Sequence, residues 1–377
     1  MMQIAAIELL TGCPVVCEVA LPVPGRASFD QDNPQRLFLS PGWVDIQVNG
    51  FAGVNLSAAG LQLEDLLSMN MHLRLEGVAA WCPTLVTGPS QQIEQNLRVI
   101  LAACRMDPVL DAAIAGIHLE GPFISPEDGA RGAHSLAHVH PPDWEEFQRW
   151  QAAAQGRIRL VTLAPEAPGA IQFIRQAVRL GITIAIGHTA ASTAVIREAV
   201  DAGASLSTHL GNGIASQLHR HANPLWDQLA DDRLFASLIF DGFHLPPNVM
   251  RVVLRAKGID RCVLVSDAVS LARMPAGIYE TPIGGKVELH QNGRLSLYGT
   301  EYLAGSASSL KDCIEVAVRM AGCSLAQAVQ MASRNPLRVL SIPAPGESTL
   351  FRWDEQACRL EVVTLLPSAA VRRPDKI

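Results

Sequence analysis

Five short apolar runs in this 377-residue chain lead into side chains able to bind a metal or move a proton. They are Ala115-Gly-Ile-His-Leu-Glu120, Ile182-Thr-Ile-Ala-Ile-Gly-His188, Ser205-Leu-Ser-Thr-His209, Cys262-Val-Leu-Val-Ser-Asp267 and Trp43-Val-Asp-Ile-Gln-Val-Asn-Gly50. A strand that is apolar along its length and polar at its carboxyl end is how a parallel barrel delivers chemistry to one face. Glu120, His188 and His209 offer one carboxylate and two imidazoles, a set that suits zinc and leaves a fourth position for water. Zinc lowers the pKa of such a water to about 7, so hydroxide is available at neutral pH. Asp267 ends its own strand and can take the proton from that water and hand it to a leaving group. Any one of these residues alone reads as a hydrogen-bonded strand end. The four together read as a hydrolytic metal site.

The run from Trp43 adds a restriction. Side chains repeat every second residue along a strand, so a His-x-His there would add two ligands to one face. Those positions hold Gln47 and Asn49, which are poor zinc ligands. That implies one metal and not two. Gln47 is then either a pocket residue or a satisfied core amide. His118 shares the face of Glu120 and is either support behind the site or interior filler.

Many strands are needed to position these residues. Helices are expected at 61–75, 91–106, 142–155, 170–180, 191–202 and 247–257. Strands are expected at 77–83, 157–164 and 235–241, besides those named above. Such alternation argues for an α/β barrel or a doubly wound sheet. Site residues spread over so many strand ends favour the closed, TIM-type (β/α)8 barrel, because an open sheet gathers its site at one switch point. Tyr279 to Tyr302 breaks the pattern with Gly284-Gly285 and Asn292-Gly293, and reads as hairpins inserted in a loop. Short β segments run from Gln3 to Leu10, Val15 to Leu21 and Arg36 to Leu39, and again from Thr349 to Asp354 and from Arg359 to Leu366. The two ends are expected to pair into one small β domain, residues 1–40 with 345–377, leaving 41–344 as the barrel. Arg372 to Ile377 read as frayed.

Composition narrows the function. The chain is 49% hydrophobic and 18% charged with net charge -6, enough for a large core and without a basic stripe for nucleic acid. None of the eight cysteines forms a C-x-x-C pair, which suits a reduced, cytoplasmic compartment. Leu9-Leu10-Thr11-Gly12-Cys13 resembles a lipoprotein cleavage site, but Glu8 interrupts the apolar run and no Lys or Arg precedes it. No stretch approaches the roughly 18 apolar residues of a membrane span.

Taken in order, nine motifs resemble the N-acetylglucosamine-6-phosphate deacetylase family of the amidohydrolase superfamily. They are Pro41-Gly-Trp-Val-Asp-Ile-Gln-Val-Asn-Gly50, Ile117-His-Leu-Glu-Gly-Pro-Phe123, Arg131-Gly-Ala-His134, Gly187-His-Thr189, Thr208-His-Leu-Gly-Asn212, Asp241-Gly-Phe-His244, Val265-Ser-Asp-Ala268, Leu303-Ala-Gly-Ser306 and Asn335-Pro336. The resemblance implies a distorted (β/α)8 barrel with a small β domain built from both termini, in a homodimer. It implies hydrolysis of the N-acetyl group of an amino-sugar 6-phosphate to amine and acetate. By the matched motifs, Glu120, His188 and His209 hold the metal, zinc, and Asp267 is the acid/base. His134 polarises the acetyl carbonyl. The backbone at Asn212 and Gly213 contacts the sugar, and Arg220 and His244 grip the phosphate, the Arg in some members coming from the neighbouring subunit. Gln47 matches the single-metal branch.

The match departs at Gly211 and Gly213-Ile214, where the family commonly has an aromatic and Ala-Met, and in the run His219 to Leu229, which does not read like the usual Gly-Arg-Glu-Pro-Gly loop. A galactosamine epimer, another N-acyl group or another amide are therefore alternative substrates. A sugar-phosphate-binding protein without catalysis is the alternative from a different class.

Overall fold

The structure is a computed structural model that describes residues 2–20, 36–281 and 285–372. Its centre is a ring of eight parallel strands: β1 Trp43–Val48, β2 Val78–Val86, β3 Ile117–Glu120, β4 Ile158–Leu163, β5 Thr183–Ile186, β6 Leu206–Ser207, β7 Phe235–Ile239 and β8 Cys262–Val265. Each strand pairs in parallel with the next in the chain. At the seam, Val48 bridges Ala268 just beyond β8. The fold is the distorted (β/α)8 barrel.

Both faces of these strands are covered, which is why they read as nearly unbroken apolar runs. On β4, Val161 and Leu163 pack outward with Phe147, Trp150 and Phe173 of the surrounding helices. Leu160 joins Val44, Cys82, Ala185 and Val263 inside the ring. The helix Ala170–Arg179 shows the matching logic: Ala170, Phe173, Ile174 and Ala177 are buried at spacings of three and four, so one stripe faces the sheet.

Above the apolar floor lies a polar layer. His118 Nε2 is 2.8 Å from Thr162 Oγ1, which is 2.7 Å from Thr208 Oγ1, and His118 Nδ1 lies 3.4 Å from Thr84 Oγ1. Burial lowers the His118 pKa to about 4, so the ring is neutral among these hydroxyls. This layer carries Glu120, two residues further up β3.

Both ends of the chain share one six-stranded sheet, in spatial order 359–367, 347–354, 37–41, 2–8, 14–19 and 371–372. Arg372 is not frayed: it pairs opposite Val16 and its guanidinium lies 2.7 Å from Glu18. Leu21, Gly284 and residues 373–377 lie outside the described residues. The hairpin region forms an antiparallel sheet of Gly277–Thr281, Gly285–Leu289 and Leu295–Leu297. Besides Leu310–Val316, Leu325–Ala332 and Arg334–Leu340, two short proline-led helices were not anticipated, Pro108–Ala113 and Pro224–Ala230. Each is too short for periodicity to show, yet each carries its start signal: Asp107 or Asn223 capping, with Pro at the first helical position.

Candidate active site

Strand parity carries the site. Glu120 ends β3, and His188, His209 and Asp267 each lie two residues past β5, β6 and β8. Glu120 Oε1 lies 3.1 Å from His188 Nε2 and 2.9 Å from His209 Nε2, and the two Nε2 atoms are 3.1 Å apart. Gln47 Nε2 donates to the same Oε1 at 2.9 Å. This triangle matches one face of a tetrahedron with bonds of about 2 Å.

The donor chemistry fits a divalent cation. His188 Nδ1 lies 2.9 Å from the Ala130 carbonyl, which fixes the proton there and leaves Nε2 a bare lone pair aimed at the cluster. Glu120 is opposed in its ionisation by burial, but the two imidazoles outweigh that and hold its pKa well below the ordinary value. His134 also comes close: Glu120, His134 and His188 each place a possible ligand atom within 4.8 Å of the others. The contacts of His209 are far tighter, so Glu120, His188 and His209 form the closer donor set, with His134 at its edge.

His134 is buried, and its Nδ1 lies 2.7 Å from Thr87 Oγ1. Arg131 Nη1 donates to the His134 carbonyl at 2.8 Å. Burial, then the nearby His188, push the His134 pKa down to about 3, so it is a neutral ring that can donate one hydrogen bond. Asp267 accepts from Asn49 Nδ2 at 2.6 Å, and its backbone N donates to the Gln47 carbonyl at 3.0 Å. Burial, then the Glu120 charge, lift its pKa to about 7, which suits a group that must both take and give a proton.

These groups open on a cavity of about 450 Å³ lined also by Asn212, Gly213, His244, Val287 and Leu295, the last two from the inserted antiparallel sheet. His244 Nδ1 is 2.6 Å from Asp241 Oδ2. A Cβ added to Gly213 would lie 2.9 Å from His188 Nδ1, so glycine here gives the imidazole its room. Two expected members are elsewhere. Gln47 stands behind Glu120 and does not line the cavity. Arg220 is exposed and is not among the residues lining it; its carbonyl accepts from Trp226 Nε1 at 3.2 Å.

Three supporting residues were missed by the sequence reading. Thr87 holds His134. Asn49 holds Asp267. Glu166 accepts from Thr189 Oγ1 at 2.6 Å and from the Ala190 N at 2.7 Å, clamping the turn after His188. The partners of Thr87 and Asn49 lie 47 and 218 residues away in the chain, so no local pattern marks them.

A parallel barrel with imidazole and carboxylate donors at its strand ends defines a class, and the chain belongs to the amidohydrolase family, whose sequence profile matches residues 38–347. Within that family its relatives are amino-sugar phosphate deacetylases. It is 34% identical over 304 residues to N-acetylgalactosamine-6-phosphate deacetylase of Escherichia coli O157:H7, covering 81% of this chain and 78% of that one. It is 34% identical over 330 residues to N-acetylglucosamine-6-phosphate deacetylase of Bos taurus, covering 84% and 78%. The crystal structure of N-acetyl-D-glucosamine-6-phosphate deacetylase from Mycobacterium smegmatis superposes with a TM-score of 0.81 at 28% identity, over 96% of this chain and 100% of that one.

Proposed function

We propose that this chain is a metal-dependent deacetylase that hydrolyses the N-acetyl group of an amino-sugar 6-phosphate, giving the free amine and acetate. The observation that carries the reading is the 3 Å triangle of Glu120 Oε1, His188 Nε2 and His209 Nε2 with Asp267 on the same cavity wall. The relatives supply the substrate class. N-acetylglucosamine 6-phosphate is the substrate to test first, and the galactosamine epimer is the second reading, favoured by the similarity to the Escherichia coli protein.

Glu120, His188 and His209 would hold one cation, zinc by their donor types. Such a cation polarises a carbonyl and makes water acidic at neutral pH. Asp267 takes a proton from the attacking water. His134 donates to the carbonyl oxygen as charge gathers there, and its neutral ring keeps that donor without adding a charge. Asp267 then returns the proton to the nitrogen, without which an amine leaves poorly. Asn212, Gly213 and His244 also line the cavity, and the sugar phosphate would lie against them.

Arg220 stands on an exposed stretch beside exposed Leu218 and Trp226. We read it as reaching the cavity of a second copy, which makes the homodimer part of the site. All eight cysteines are free, in keeping with a cytoplasmic protein, and among the described residues no helix is long and apolar enough to cross a membrane. The residue ranges 1–40 with 345–377 and 41–344 serve as working domain limits. The deciding experiment is acetate release from glucosamine and galactosamine N-acetyl derivatives with and without the 6-phosphate, with metal content measured on the same sample. Release from none of them would reject the reading.

A further inference from the structure

Asn49 lines the cavity beside Asp267, and holding that carboxyl uses only half of its side chain. Its Nδ2 donates to Asp267 Oδ1 at 2.6 Å, while its own Oδ1 is buried with no hydrogen-bond partner among the described residues. The backbone holds it in place: the Asn49 N donates to the Ala268 carbonyl at 2.9 Å, and the Asn49 carbonyl accepts from the Leu56 N at 3.0 Å. Next to it, a Cβ on Gly50 would overlap the Val54 carbonyl oxygen and lie 2.8 Å from the Ser270 N, so this turn is packed tight. A carboxylate only accepts, so the amide nitrogen of Asn49 must face Asp267 and the oxygen must turn away from it. A buried carbonyl oxygen without a donor is costly, and such groups in native proteins call for an explanation. A bound molecule that brings an N–H supplies one.

Resting on the function proposed above, we propose that Asn49 Oδ1 accepts the N–H of the scissile amide, so that one side chain grips both the acid/base carboxyl and the nitrogen it must protonate. The chemistry gives this a purpose. When water adds to the carbonyl carbon, a carbon–oxygen bond forms and one water proton passes to Asp267. The nitrogen becomes pyramidal, with a lone pair besides its hydrogen and two carbons. Holding the N–H on Asn49 and the sugar in its pocket leaves the lone pair one direction, toward Asp267. Asp267 then delivers its proton to that lone pair, the carbon–nitrogen bond breaks with its electrons going to nitrogen, and amine and acetate result.

A thioester analogue isolates the contact. The 2-S-acetyl-2-thio sugar 6-phosphate has no N–H, and its thiolate leaves without being protonated. Wild type and Asn49→Ala are compared on the N-acetyl and S-acetyl compounds, reading kcat/KM for each. The ratio of the two rates does not depend on how much of a variant is folded. Asn49→Ala is expected to lower the amide-to-thioester ratio on the order of 30-fold, with metal content unchanged. A ratio within threefold of wild type would overturn the proposal, because an Asn49 that merely steers Asp267 as a base slows both substrates alike. Wild type that cleaves neither compound would instead reject the deacetylase reading, and this inference with it.

Discussion

Gly213 can be read two ways, and one substitution separates them. Its place after Asn212 suggests a backbone contact to the sugar, whereas the structure sets it against the His188 imidazole. A Cβ there would lie 2.9 Å from His188 Nδ1, 3.1 Å from Cε1 and 3.2 Å from Cγ. Carbon contacts are comfortable at about 3.5 Å and beyond, so relief takes a shift of about half an ångström. The ring has little freedom to give it, being tied to the Ala130 carbonyl at 2.9 Å and to Glu120 at 3.1 Å. Residue 213 also has φ +61°, where any L side chain costs about 1–2 kcal/mol. Gly213→Ala should therefore lower the melting temperature of the metal-free protein by about 1–3 °C. It should also weaken zinc binding about 10- to 100-fold, the usual effect of disturbing what orients a ligand. The assay is a chelator-competition titration of zinc on wild type, Gly213→Ala and Gly211→Ala. Gly211 has φ +96°, and its added Cβ would meet only Leu245 Cδ2, at 3.1 Å, so it shares the backbone strain but not the crowded imidazole. KM for the sugar phosphate is measured in parallel at saturating zinc. If Gly213→Ala binds zinc as tightly as Gly211→Ala and only KM rises, the packing argument fails and Gly213 is a sugar contact alone.

Asp267→Asn should retain its metal and lose at least about 10³-fold in kcat; near-normal turnover would remove Asp267 as the proton carrier. Thr87→Val deletes the hydroxyl 2.7 Å from His134 Nδ1 and should lower kcat about tenfold with KM little changed. An effect confined to KM would show that His134 does not act on the reacting carbonyl. Mixed dimers test Arg220: Arg220→Ala and Asp267→Asn subunits, each nearly inactive alone, should regain activity when co-refolded, because one site of the hybrid has both residues. No recovery would place Arg220 outside the partner's site. Burial lifts the Asp45 carboxyl from 3.8 to about 7, so its folded form favours the proton and the stability it lends is full below its unfolded value and lost as pH rises to about 7. Asp45→Asn lacks that slope, so its stability relative to wild type should rise between about pH 4 and 7, by at most about 4 kcal/mol; denaturant titrations showing a flat difference would refute the assignment.

The barrel was legible because its strands announce themselves twice, by apolar runs and by the polar residues at their ends. Period-two alternation correctly put His118 on the face of Glu120, but the sequence could not say what it met there. Its partners, Thr84 and Thr162, lie 34 and 44 residues away. Resemblance named Arg220, yet one chain does not bring it to the cavity. A residue that would serve another subunit leaves no trace in its own chain's packing. Asn49 was noticed only as a poor ligand. Its bond to Asp267 joins the first strand of the ring to the loop after the last, across the seam, and local sequence contains nothing of that closure.

A deeper reason the site escapes pattern reading lies in the backbone. His188, His209 and Asp267 have φ of +49°, +29° and +49°, values that L residues seldom adopt. Three of the four residues at the strand ends are thus held in strained turns of about 1–3 kcal/mol each. Propensity would place glycine there, and only surrounding bonds keep imidazole and carboxylate in its stead. The Ser125 N donates to the His188 carbonyl at 2.9 Å, the His209 N donates to Ser237 Oγ at 2.7 Å, and the Asp267 N donates to the Gln47 carbonyl at 3.0 Å. Each of these bonds comes from a different part of the ring, so the strain can persist only once the barrel has closed. An extended strand would have carried these side chains on along the wall. The sharp turn at each end swings them toward the axis, where Glu120 already points. Strain localised at these residues, and supported from neighbouring strands, is therefore what converts four separate strand ends into one site.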